Sequence, residues 1–178
     1  MEIVAKRSAT LQGERKVGFD ANVMVAIIDN PTFNSKKIDS MFDMKDTFFL
    51  QEIAYNETIK ILKRPPFEYS HSKEKVDKFL KKKNIRILGK IPSHIPTHPT
   101  LGLLIKQCKE KSVDFHYPDI HIVADYLAHG VNKAYSADKT FLQIAEVAGI
   151  DAEDFLKLDD KQKEGIKRFL QQPFHKSP

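Results

Sequence analysis

The chain has 178 residues, with 29 Lys+Arg against 24 Asp+Glu, a net charge of +5 and a pI near 9.1. Hydrophobic residues make up 41% and charged residues 30%, which excludes a disordered chain and suits one domain with a real core. The lone Cys108 excludes an internal disulfide and any zinc site needing two cysteines from one chain, and it points to a reducing compartment.

The first segment, 1–16, carries charges at Glu2, Lys6, Arg7, Glu14, Arg15 and Lys16 and has no apolar stretch, so it reads as an extension and not as a signal peptide. Val17–Phe19 reads as a strand ending at Asp20. Val23, Met24, Ile27 and Ile28 follow at helical spacing, and Asn30-Pro31 stops that helix. The apolar run Val23–Ile28 is far too short to span a membrane, so a cytoplasmic protein is expected. Ser35–Met44 is a short helix and Thr47–Leu50 a strand. A helix from Gln51 to Lys63 then ends at Pro65-Pro66.

Ser72 is placed to cap the next helix, whose stripe is Val76, Phe79 and Leu80. Ile85–Leu88 alternates like a strand, and Lys90–Pro99, with its prolines, is a loop. Leu101–Lys111 and Pro118–His129 are helices, the second opened by Pro118-Asp119 and closed by Gly130. Lys133–Ser136 is a strand and Thr140–Ala148 a helix. Asp151 and Asp159 or Asp160 are placed to cap two final helices. This β-α alternation predicts a three-layer α/β/α domain with a central, mainly parallel sheet over 17–150. Within it 65–99 reads as a variable insertion, and 151–178 as a C-terminal helical extension.

Parallel sheets bind ligands beyond the carboxyl ends of their strands. Asp20 and Asp138 each follow a predicted strand. Asp119 sits in the first turn of the helix leading to the second of these strands. Glu57 lies in the helix after Thr47–Leu50, with Glu52 as its weaker competitor. Each acid alone is also explained as a helix cap, a dipole partner or a solvated side chain. Two acids after different strands, and a third opening the helix between them, make a set.

Three stretches carry a resemblance to a known family. They are Val17-Gly-Phe-Asp-Ala-Asn-Val-Met-Val-Ala26, Phe49-Leu-Gln-Glu-Ile-Ala-Tyr-Asn-Glu57, and Pro118–Gly130 followed by Ala134-Tyr-Ser-Ala-Asp-Lys-Thr-Phe-Leu142. In order and spacing they resemble the PIN-domain nucleases, which include the VapC-type toxins, over about 17–150. The resemblance implies a PIN-like fold, an acidic quartet of Asp20, Glu57, Asp119 and Asp138, and supporting polar groups Asn22 and Ser136. Asp125 departs from the pattern, at a position where small or apolar residues are commoner.

Four carboxylates at one sheet end repel one another and call for a counter-charge. All-oxygen ligation favours Mg²⁺ or Mn²⁺, one ion or two, over zinc. The resemblance implies endoribonuclease chemistry, a hydrolysis leaving a 5′-phosphate and a 3′-hydroxyl. For a VapC-type toxin it also implies a small antitoxin partner and often a homodimer. RNA needs basic neighbours, for which Lys60, Lys63, Arg64 and Lys139 are the nearest candidates. The Lys73–Lys83 set and Arg86 read equally well as a solvated face. His94 and His98 are separated by Pro96 and form no helical metal pair, while His116 and His121 bracket Asp119. The alternatives are an RNA-processing nuclease, a catalytically silent nucleic-acid or partner-binding module on this fold, and a phosphatase-like domain. The last lacks a second acid in Asp20-Ala-Asn22.

Overall fold

In the computed structural model, residues 15–32, 35–43, 45–89, 99–155 and 158–171 are described. Residues 1–14 of the expected N-terminal extension, residues 90–98 of the expected loop, with His94 and His98, and the last seven residues lie outside them.

The elements run β1 (Lys16–Phe19), α1 (Ala21–Asp29), α2 (Ser35–Met41), β2 (Thr47–Gln51), α3 (Glu52–Leu62), α4 (Ser72–Lys82) and β3 (Ile85–Leu88). Then come α5 (Pro99–Glu110), α6 (Tyr117–Ala128), β4 (Lys133–Ser136), α7 (Lys139–Val147), β5 (Asp151–Asp154) and α8 (Asp160–Leu170). All strand pairs are parallel, in the order β3-β2-β1-β4-β5. Right-handed crossovers then put α1, α3 and α4 on one face and α5, α6 and α7 on the other, the three-layer α/β/α architecture expected. The chain leaves β1 toward β2 and leaves β4 toward β5, so the order reverses between β1 and β4. That switch point opens a crevice at the carboxyl end of the sheet.

The core is built from both sheet faces. Phe48, Phe19 and Tyr135 form a file across β2, β1 and β4, with ring centroids 6.0 Å apart at each step. Phe155 ends the file 5.3 Å from Tyr135. On the other face Gly18 gives way to Tyr126 of α6. A Cβ on Gly18 would lie 2.6 Å from the Tyr126 ring. The buried Tyr126 hydroxyl donates to the Phe19 carbonyl at 2.6 Å and accepts from the backbone N–H groups of Phe19 at 3.1 Å and Gln51 at 3.2 Å. One phenol thus pins β1, β2 and α6 together beside Asp20. Gly18→Ala is expected to cost about 1–3 kcal/mol through overpacking. Tyr126→Phe is expected to cost about 1–3 kcal/mol through stranded backbone groups. In urea denaturation both should lower the midpoint at unchanged slope.

Two local expectations are corrected. Ser72 does not cap α4: it is the helix's first residue and is buried, and His71 holds the cap position without a side-chain capping bond. The segment from 151, expected to be helical throughout, begins instead with β5. Asp151-Ala-Glu-Asp154 has poor strand propensity, but Lys133 of β4 holds Asp151 at 2.8 Å and Glu153 at 3.0 Å, and the ladder to β4 supplies the rest. Asp159 then caps α8 in a reciprocal capping box with Gln162. β3, inside the segment read as an insertion, pairs with β2 and forms a sheet edge.

Candidate active site

Asp20 and Asp138 occupy equivalent places, each the N-cap of the helix that follows its strand. They flank the switch point, because β1 and β4 are neighbours. Asp20 is buried. Its Oδ1 accepts the Ala21 N–H at 2.6 Å, while Oδ2 accepts the Asn22 amide at 2.8 Å and the Ser136 hydroxyl at 2.7 Å. The Asn22 amide also lies 3.3 Å from Ser136 Oγ, and Asn22 Oδ1 accepts the Ala137 N–H at 3.1 Å. Ser136 Oγ in turn accepts the Asp138 N–H at 2.9 Å. Asp138 Oδ1 accepts from Thr140 N at 2.7 Å and Phe141 N at 3.2 Å. A capping role and a site role therefore coexist: Asp138 spends one oxygen on the cap, and its Oδ2 accepts no bond among the described residues.

Helices that return from the carboxyl end of a parallel sheet start there, which brings the first turn of α6, and so Asp119, to the same end. Glu57 lies about a turn and a half into α3. Neither carboxylate accepts a hydrogen bond from any described residue. Burial is the main cause that pushes Asp119 up to about 8, and the charges of Asp20, Asp138 and Glu57 add to it. Burial and then Asp20 push Glu57 up to about 7, with Lys60 opposing. Asp20 is raised to about 6 by burial against the bonds from Ser136, Ala21 and Asn22. The four predicted acids thus share one electrostatic field. Among the described residues, however, no group of three or more His, Cys, Asp or Glu side chains is closed tightly enough to hold a metal ion.

Three comparisons bear on the fold. No family model matches the sequence, and no curated protein does either. Among solved structures, VapBC2 from Rickettsia felis, bound to a fragment of its promoter DNA, has a chain similar to this one with a TM-score of 0.61 at 14% identity, over 79% of this chain and 99% of that one. A DNA-bound VapBC from Salmonella typhimurium gives a TM-score of 0.60 at 16% identity, over 80% and 99%. VapBC-1 from nontypeable Haemophilus influenzae gives 0.55 at 16%, over 79% and 98%. The chain has the PIN-like fold.

Within this PIN-like domain the basic candidates separate. Lys60 is exposed one turn from Glu57 and lowers its proton affinity. Lys63 is exposed at the C-cap of α3, and Lys139 is exposed at the start of α7, next to Asp138. Arg64 turns toward α8, its guanidinium carbon 5.9 Å from the centre of the Phe169 ring. In the Lys73–Lys83 set, Lys73 pairs with Asp77 at 2.6 Å, Lys75 covers Tyr69 at 3.6 Å and Lys83 covers Phe42 at 4.7 Å. These three serve local packing.

His121 lies about 200° around α6 from Asp119, at 3.6 residues per turn. It meets the exposed Tyr117 in a tilted ring contact, centroids 5.6 Å apart. Gln51 carries a role the sequence reading missed. It is the N-cap of α3, it accepts the Ile53 N–H, and its amide donates to the buried Asp125 at 2.7 Å. The departure at Asp125 is thereby explained as a buried tie between α6 and the end of β2. A polar Gln at the strand-to-helix junction was the available signal.

Proposed function

We propose that this protein is a divalent-metal-dependent endoribonuclease of the VapC type, with Asp20, Glu57, Asp119 and Asp138 as its acidic quartet. The observation that carries the reading is the shared field of four carboxylates at the sheet's switch point, two of them half-buried without a hydrogen-bond donor among the described residues. The donor set is all oxygen, which fits Mg²⁺ or Mn²⁺. Asp20, Asp119 and Asp138 are the proposed ligands. When bound, the ion supplies an acidified water and stabilises charge on the phosphate.

The chain's own residues do the rest. Ser136 and Asn22 fix the Asp20 carboxylate, so its orientation is set before substrate arrives. Glu57 ligates or orients the attacking water. Lys60, Lys63 and Lys139 attract the polyanion without reading its sequence. The similar solved structures are VapBC assemblies. On that basis the proposed partners are RNA as substrate, a small antitoxin protein and a second copy in a homodimer, in the cytoplasm.

The test is incubation with total RNA and Mn²⁺, with EDTA as the control, followed by sequencing of the cut ends. Metal-dependent cuts bearing 5′-phosphates are the expected result. Intact RNA, or cleavage that persists in EDTA, would overturn the proposal.

A further inference from the structure

A cavity of about 480 Å³ lies between the end of α3 and α8, lined by Ile61, Arg64, Pro65, Gly165, Arg168 and Phe169. Its volume falls in the range of small-molecule sites. Its walls are of two kinds. Arg64 and Arg168 supply positive charge, and Arg168 engages Glu164 at 2.7 Å through its Nε alone among the described residues. Pro65 and the half-buried Phe169 ring, which has the Arg64 guanidinium carbon 5.9 Å from its centre, supply apolar surface. The α8 wall is rigidly placed, because Gln162 donates to the Ala26 carbonyl at 3.1 Å and Lys161 reaches Asp29 at 3.1 Å, both on α1.

Helix geometry connects this cavity to the acids. Glu57, Lys60 and Ile61 stand at i, i+3 and i+4 on α3, and Arg64 follows one residue past its C-cap, its N–H donating to the Ile61 carbonyl at 3.1 Å. The helix that carries Glu57 to the acids thus delivers Ile61 and, just past its end, Arg64 to the cavity. Lys60 lies between them.

We propose that this cavity is a subsite for one nucleotide of single-stranded RNA, with its base against Phe169 and Pro65 and its phosphate on Arg168, Arg64 adding positive charge beside them. The inference rests on the nuclease reading above and gives α8 a part in substrate binding. A π-face beside guanidinium groups suits a nucleotide better than a carboxylate alone, because bases stack on aromatic rings and on guanidinium planes while phosphates take the charge.

The experiment uses the full chain carrying Asp20→Asn, so that bound RNA stays whole. The probe is a 5′-fluorescein-labelled oligouridylate, followed by anisotropy over a salt series. Arg168→Gln should weaken binding about fivefold and flatten the log–log salt slope by about 0.7, the loss of one phosphate contact to a single strand. Phe169→Leu keeps apolar bulk and removes the π-face. It should weaken binding about tenfold with the slope unchanged. Lys109→Gln, an exposed charge on α5, is the control. If both α8 variants match Lys109→Gln, or if no variant binds the oligonucleotide, the subsite is overturned. If binding depends on Arg168 and Phe169 while the wild type cuts no RNA, the subsite stands and the nuclease reading fails alone.

Discussion

Asp20→Asn is expected to reduce metal-dependent RNA cleavage by at least about 10²–10³-fold while the protein stays folded. The expectation follows from the bonds around the side chain. Asn keeps an oxygen for the Ala21 N–H, and Asn is as good a helix cap as Asp. The other position, where Oδ2 accepts from Ser136 and Asn22, would hold an amide nitrogen. Ser136 can rotate to accept from it, and the Asn22 amide loses a partner. The folded state thus gives up about one hydrogen bond. It also sheds a buried carboxylate whose ionisation burial already opposes. Single-turnover cleavage rates and thermal melts of both proteins, side by side, check both halves. A variant that cuts at the wild-type rate would remove Asp20 from the chemistry.

The metal-free protein should lose stability as pH rises from about 4 to about 9. Three carboxyls have folded-state pKa values lifted to about 6, 7 and 8, against ordinary values near 4. Over that window the folded chain holds more protons than the unfolded chain, so the unfolding free energy falls with pH. The contribution is fully present below about pH 4 and is lost as pH passes the raised values.

Two additions sharpen this test. Saturating Mn²⁺ should restore stability at the alkaline end, by about 2.7 kcal/mol at a hundred times its dissociation constant, because a cation answers the repulsion directly. Asp119→Asn should raise the metal-free melting temperature at about pH 8 and flatten the pH dependence. It removes the group pushed furthest, and a chain of this size shifts about 2–4 °C per kcal/mol. Melts of both proteins over the pH range, with and without Mn²⁺, check the set. A metal-free profile that is flat or rises with pH would show that these carboxyls are not raised in the folded protein.

Much of this architecture was legible because its signals are local. Alternation of short β-rich runs with helical stripes gave β1 to β4 and α1 to α7 within a few residues, since each pattern records which side of an element meets the core. The strand β5 was illegible for the opposite reason. Nothing in Asp151-Ala-Glu-Asp154 favours a strand, and only Lys133 and the ladder of β4, eighteen residues upstream, make it one. Ser72 failed similarly: its type suits a cap, but burial against the core decided its place.

The acids followed the same division. Sequence alone determined that Asp20 and Asp138 end strands and that Asp119 opens a helix, because strand, cap and helix start are properties of neighbouring residues. It also placed Glu57 in the helix after Thr47–Leu50, with Lys60, Lys63 and Arg64 just beyond it. Only the tertiary structure decided that β1 and β4 lie side by side, which turns two distant caps into one network through Ser136 and Asn22. It alone decided that Arg64 meets α8. The net charge of +5 is an average: Asp20, Glu57, Asp119 and Asp138 act on one another, while Lys60, Lys63 and Lys139 stay exposed around them. Electrostatic fields and cavities depend on distances through space, and a one-dimensional pattern does not carry those distances.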